Sequence, residues 1–154
     1  MKSPDYPCVL LSRDGSVVSK LVQWVTDGKA SHVRLYFPFP GAGVWEACPL
    51  HGVRFTQFND WDHVEVYRPL SYVNWGQVLK FCRGEDGKGY DWLADLRFLT
   101  HTNRPDVPTR WNCSGFVHEA LRAGGIELVA RVPFWKISPE SLRRSPLLYG
   151  PIWK

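Results

Sequence analysis

The pattern of the 154-residue chain predicts an α+β fold, with helices packed on a small antiparallel sheet. Three observations predict it. Short segments in the first half place apolar residues at alternate positions, the period of a strand. Apolar residues three and four apart dominate the second half, the period of a helix. Strands and helices are therefore largely segregated along the chain, unlike the regular alternation of parallel βαβ units.

Each element follows from its local chemistry. Residues 8–12 (C-V-L-L-S) form a short apolar strand, and Asp14-Gly15 a turn. Ser16 caps a helix to about residue 26, with Val17, Val18, Leu21, Val22 and Val25 at helical spacing, and Asp27-Gly28 stops it. Residues 31–37 (S-H-V-R-L-Y-F) form a strand. Val33, Leu35 and Phe37 share one face, His32, Arg34 and Tyr36 the other. P-F-P-G-A-G is a turn and residues 44–47 the return strand, with a further strand pair at 53–58 and 63–68. Helices are expected at 73–83 and 92–99, joined by a Gly-rich loop at 84–89. Pro105 and Pro108 hold an extended segment before a helix that starts near Cys113 and ends at Gly124-Gly125. Ser138-Pro139 opens a last short helix, and an extended tail follows.

Composition bounds the function. Hydrophobic content of 44% and charged content of 22% fit one globular domain over residues 1–154. Eight Trp, six Tyr and eight Phe are enough to fill a core and to line a groove for something flat or apolar. The net charge is +4 without a basic run interleaved with aromatics, so no nucleic-acid partner is expected. The charge supports only a modest attraction to anionic substrates or surfaces. No apolar stretch approaches a membrane span, and residues 1–7 carry no apolar signal region, so a cytoplasmic location is expected, with release or delivery by another route left open. Cys8, Cys48, Cys82 and Cys113 form no C-x-x-C pair, and the histidines lack zinc-finger spacing. The Gly-rich loop ends on Tyr90 in place of the Lys-Ser/Thr of a phosphate loop. Neither a metal nor an organic cofactor is expected, and the oligomeric state is left open.

The chemistry concentrates at W-N-C-S-G-F-V-H-E-A-L, residues 111–121. Cys113, Phe116, Val117, Ala120, Leu121 and Gly124 fall on one helical stripe, so the cysteine points with the buried face from the first turn. A thiolate there meets unpaired backbone N–H groups and the positive end of the helix dipole, which favour the nucleophilic form and can stabilise an oxyanion. His118 lies ~140° around the helix from Cys113 and is read as a surface or packing histidine. His32, fixed on a strand, is the better base. If the turn centres on Pro40, Glu46 pairs across from Arg34 and reaches His32 diagonally on the same face. A one-residue slip would turn it away. His51 and His63 are the alternatives for this third position.

S-H-V-R-L-Y-F, V-W-E-A, G-Y-D-W and W-N-C-S-G-F-V-x-E-A-L-x-x-x-G together resemble the permuted branch of the NlpC/P60 superfamily of papain-like cysteine hydrolases, in its YiiX/YebB-like group. They also resemble the lecithin:retinol acyltransferase-like group. His32 precedes Cys113, the order of that branch, and the similarity spans about residues 8–145. The resemblance implies a circularly permuted papain-like fold on a small antiparallel sheet or barrel, and a bacterial or phage origin. It implies catalytic Cys113 and His32 with Glu46 as the third polar residue, and Tyr90 lining the cleft. Trp111 and Ser114, which flank the nucleophile, join Tyr90 as expected substrate-binding residues. The implied activity is cleavage of an amide bond in a peptide, with cell-wall peptides the most usual substrate. A thioesterase or acyltransferase acting on lipid-like acyl groups, and a catalytically silent binding domain with the same cleft, are the alternatives.

Overall fold

The computed structural model describes residues 3–12, 30–39, 41–91 and 110–152. Five strands come first: β1 (Cys8–Ser12), β2 (His32–Phe37), β3 (Gly43–Cys48), β4 (Gly52–Gln57) and β5 (Val64–Pro69). The pair expected of 53–58 and 63–68 does not form, because β4 pairs with β3 and β5 crosses to pair with β1. Then come α1 (Trp75–Gly84), β6 (Gly89–Tyr90), β7 (Arg110–Trp111), α2 (Cys113–Ala123), a 3-10 turn (Phe134–Lys136), α3 (Pro139–Arg143) and β8 (Leu148–Tyr149). The six-stranded sheet has the order β4-β3-β2-β1-β5-β8, every neighbouring pair antiparallel. The α+β expectation is met. The helices expected at 16–26 and 92–99 lie outside the described residues.

Strand alternation divides the core between the two sheet faces. Val9, Leu11, Val33, Leu35, Phe37, Trp45 and Ala47 form the larger cluster with Phe116, Val117, Ala120 and Leu121 of α2 and Val78 and Cys82 of α1. The stripe on α2 is thus buried as its spacing predicts. Each fully buried Phe, Leu or Val there contributes about 1.5–3 kcal/mol. The other face carries a smaller cluster, Cys8, Leu10, Tyr36, Val44, Val64 and Val66, under Tyr6, Phe58 and Trp61.

Two sets of contacts fix which way α2 runs. At its C-terminal end, Gly124 O accepts from Asn74 N at 2.9 Å, and Trp75 in the same turn meets Phe37, the last residue of β2, edge-on at 5.8 Å. At its N-terminal end, Trp111 in β7 pairs with Tyr90 in β6. The chain before β6 is held to β4 where Lys88 O accepts from Val53 N at 2.8 Å. Val53 pairs with Ala47, beside Cys48, at the end of the sheet where β2 begins. Helix α2 spans about 16 Å at 1.5 Å per residue, close to the length of β2. Cys113 and His32 therefore lie at the same end of the sheet.

The Gly-rich segment after α1 does not simply join two helices, as its sequence implies. It folds back on β4, with Gly87 N donating to Val53 O at 2.9 Å, and then forms β6. Gly52 permits the close approach. Its φ is +69°, and a Cβ there would lie 2.1 Å from Lys88 O. The tail also pairs, as β8 on β5. Two-residue strands carry no readable period, so neither β6 nor β8 was foreseeable.

Candidate active site

The site is built on the β2-β3 hairpin. The register pairs Leu35 with Trp45, Tyr36 with Val44 and Phe37 with Gly43, the pairing expected of a turn centred on Pro40. That register sets Glu46 across from Arg34 and diagonal to His32. His32 Nε2 lies 2.9 Å from Glu46 Oε2, and Arg34 Nε donates to the same oxygen at 2.8 Å. On the other side β4 places Arg54 opposite Glu46, and its Nε and Nη2 donate to Oε1 at 3.0 and 2.9 Å. Arg34 also donates through Nη1 to Ser12 Oγ at 2.7 Å.

Glu46 is only 3% exposed. Burial alone would raise its pKa. The hydrogen bond and charge of His32, then the charge and hydrogen bond of Arg34, outweigh burial and hold the carboxyl well below the usual carboxylate range. An ionised carboxylate only accepts, so the His32 ring carries its proton on Nε2 when neutral, and Nδ1 is then its basic nitrogen.

Cys113 is the first residue of α2 and is 5% exposed. Its sulfur belongs to the larger core cluster, on the face of Val33 and Leu35, whereas His32 is on the opposite face of β2. The two residues share an end of the sheet, not a face. Asn112 caps the helix, its Oδ1 accepting from Gly115 N at 2.7 Å. With Oδ1 fixed, the amide points Nδ2 into a buried position where it has no hydrogen-bond partner. Gly115 is needed in this turn, because a Cβ would lie 2.5 Å from Asn112 Oδ1 and 2.9 Å from Phe134 O.

The three residues expected to touch substrate are turned inward. Ser114 is 1% exposed, and its hydroxyl donates to Ile137 O, tying α2 to the chain after the 3-10 turn. Trp111 donates from Nε1 to Glu85 Oε2 at 2.7 Å, and its ring packs against Phe81, Phe116 and Phe134. Tyr90 lies within the larger core cluster. The polar atoms of Ser114 and Trp111 thus join structural elements. Spacing assigns these residues to the α2 neighbourhood but does not show which backbone segment closes over them. His118 is buried, as a packing histidine. Burial pushes its imidazole pKa down, and its Nδ1 has no hydrogen-bond partner. His51 sits 3.9 Å from Cys48 through Nδ1 in the β3-β4 turn, so it does not supply the third position beside His32.

Sequence spacing alone gives no role to Asn112 or Arg54. The signal for Asn112 is an Asn immediately before a helix start. The signal for Arg54 is a cation placed across the short β3-β4 turn from Glu46. The aromatic content does build a cavity, about 290 Å³, lined by Phe37, Phe39, Trp45 and Phe55 toward the hairpin turn. Those residues do not include Cys113, His32 or Glu46.

No family model matches the chain, and no curated protein matches it in sequence. The fold is similar to a crystal structure described as metalloprotein yiiX from Escherichia coli O157:H7, DUF1105. The TM-score is 0.72 and the identity 18%, covering 99% of this chain and 100% of that one. Among the described residues, no three His, Cys, Asp or Glu side chains are grouped to hold a metal ion. At the candidate site the one carboxylate is already committed to two guanidiniums, an environment that opposes a divalent cation. No helix among the described residues is long and apolar enough to cross a membrane.

Proposed function

We propose that a chain sharing the fold of yiiX is a cysteine hydrolase of the permuted NlpC/P60 type, cleaving an amide bond through Cys113, His32 and Glu46. The observation that carries this is the buried His32–Glu46 pair, held at 2.9 Å at the end of the sheet where α2 begins with Cys113. His32 Nδ1 takes the thiol proton as the sulfur attacks the carbonyl carbon, and returns it to the leaving amine when the C–N bond breaks. Water, activated by the same nitrogen, then hydrolyses the thioester. Glu46 keeps the imidazole in the Nε2–H form. Gly115 N–H and Phe116 N–H are used by Asn112, which leaves the other N–H groups of the first turn of α2 for the oxyanion. The substrate is a peptide amide. If an acyl acceptor other than water enters, the same thioester supports acyl transfer.

The 5% exposure of Cys113 favours a second role, a silent binding domain. Site-resolved alkylation decides between them. Cys8 and Cys82 are fully buried, and burial pushes the Cys8 thiol up to about 12 and raises that of Cys82 as well, which leaves half-buried Cys48 as the competing thiol. In the hydrolase, iodoacetamide labels Cys113 faster than Cys48 near neutral pH, and His32→Ala removes the difference. Labelling at Cys48 with Cys113 inert in the folded protein would rule the hydrolase out.

A further inference from the structure

We infer that Arg34 and Arg54 form an anion-binding subsite beside His32, so that the acyl substrate carries a carboxylate or phosphate near its scissile carbonyl. This rests on the hydrolase proposal and extends it to substrate class. Glu46 brings one negative charge, and two guanidiniums bind it. The two guanidiniums carry one positive charge more than the carboxylate cancels. No other carboxylate among the described residues lies within ion-pair distance of either guanidinium. Glu65, Glu85 and Glu119 are paired elsewhere, with Arg143, Lys88 and Arg122.

The geometry leaves donors for a ligand. Arg54 uses Nε and Nη2 on Glu46 and keeps Nη1, while Arg34 uses Nε on Glu46 and Nη1 on Ser12 and keeps Nη2. Arg54 is 36% exposed and Arg34 21% exposed at the side chain, against 4% for Glu46, so the positive groups face solvent and the negative one does not. Arg34 is held in place by the Phe58 ring, 5.6 Å from its Cζ, and by Ser12, so it is pre-organised. Fixed guanidiniums with unused N–H groups match carboxylate and phosphate oxygens.

The test compares an anionic and a neutral alkylating agent at the same sulfur. Rates of Cys113 modification by iodoacetate and iodoacetamide are measured at low ionic strength in the full chain, with free N-acetylcysteine as the reference thiol. One net positive charge within reach of the reagent's carboxylate at a partly exposed site favours the anionic reagent by about threefold or more. The expected iodoacetate-to-iodoacetamide ratio at Cys113 therefore exceeds that of the free reference thiol by about threefold or more. Added salt lowers it. Arg54→Lys, which keeps the charge, retains the preference, and Arg54→Gln lowers it. A ratio at Cys113 equal to that of the free reference thiol, or one unchanged in Arg54→Gln, overturns the subsite while leaving the hydrolase standing. If neither reagent reaches Cys113, the hydrolase falls and the subsite with it. Protection of Cys113 from iodoacetamide by succinate identifies a carboxylate-bearing substrate. Protection by inorganic phosphate identifies a phosphorylated one. Protection by neither overturns the subsite.

Discussion

Replacing Glu46 by Gln is the most informative single change, because shape is kept while the charge at the centre of the site is lost. The carboxylate accepts four hydrogen bonds from three side chains. Gln retains one oxygen and turns an N–H group toward a guanidinium. Breaking a buried ion pair by removing one partner costs about 3–5 kcal/mol. Arg34 and Arg54 are 21% and 36% exposed, so water recovers part of that. The expected loss at neutral pH is therefore about 2–3 kcal/mol, which lowers Tm by roughly 5–10 °C in a chain of this size. Urea denaturation of wild type and E46Q from neutral pH to about pH 3 measures it. Glu46 has its pKa depressed in the folded state, below the 4.5 of an ordinary Glu. Below about that pH the unfolded chain takes up a proton that the folded chain resists, so wild type loses stability that E46Q never had. The gap is full above pH 4.5 and narrows as the pH falls toward the folded pKa. A gap under about 1 kcal/mol at neutral pH, or one that stays constant on acidification, would refute the buried-clamp argument.

Two further substitutions test the supports of the site. Gly52→Ala puts a Cβ 2.1 Å from Lys88 O at a φ of +69°, and both strain and clash act against it. The expected destabilisation is about 2–4 kcal/mol by chemical denaturation. Asn112→Ala removes the cap on Gly115 N and is expected to cost about 1 kcal/mol, whereas Asn112→Ser, which also caps, recovers most of it in the same assay.

The hairpin and its polar cluster were legible because their cause is local. A turn of known centre fixes the sum of paired residue numbers, and that sum puts Glu46 against Arg34 and within reach of His32. The α2 stripe was legible for the same reason: Phe116, Val117, Ala120 and Leu121 bury one face at helical period. The inward turn of Ser114 and Trp111 was not legible. Their partners, Ile137 and Glu85, lie 23 and 26 residues away and are brought in by packing that leaves no periodic trace. Arg54 was placed on a strand, but its register on β3 depends on the Cys48–Gly52 turn, where Gly52 takes a positive φ of 69°.

The same hairpins that place Glu46 also make the wrong register costly. Strand β3 is pinned on both sides. Gly41 and Ala42 take positive φ in the turn before it, and Gly43 lies so close to β4 that a Cβ would be 2.5 Å from Thr56 O. A slip of one residue would carry Glu46 to the face of Trp45 and Ala47, into the apolar cluster under α2. There the carboxylate would lose His32 and both guanidiniums, at a cost of several kcal/mol. It would also strand Arg34 and Arg54 without their shared acceptor. The polar cluster thus selects the register that orients the imidazole. Stability and the proposed chemistry depend on the same carboxylate, so a substitution there cannot impair one without the other.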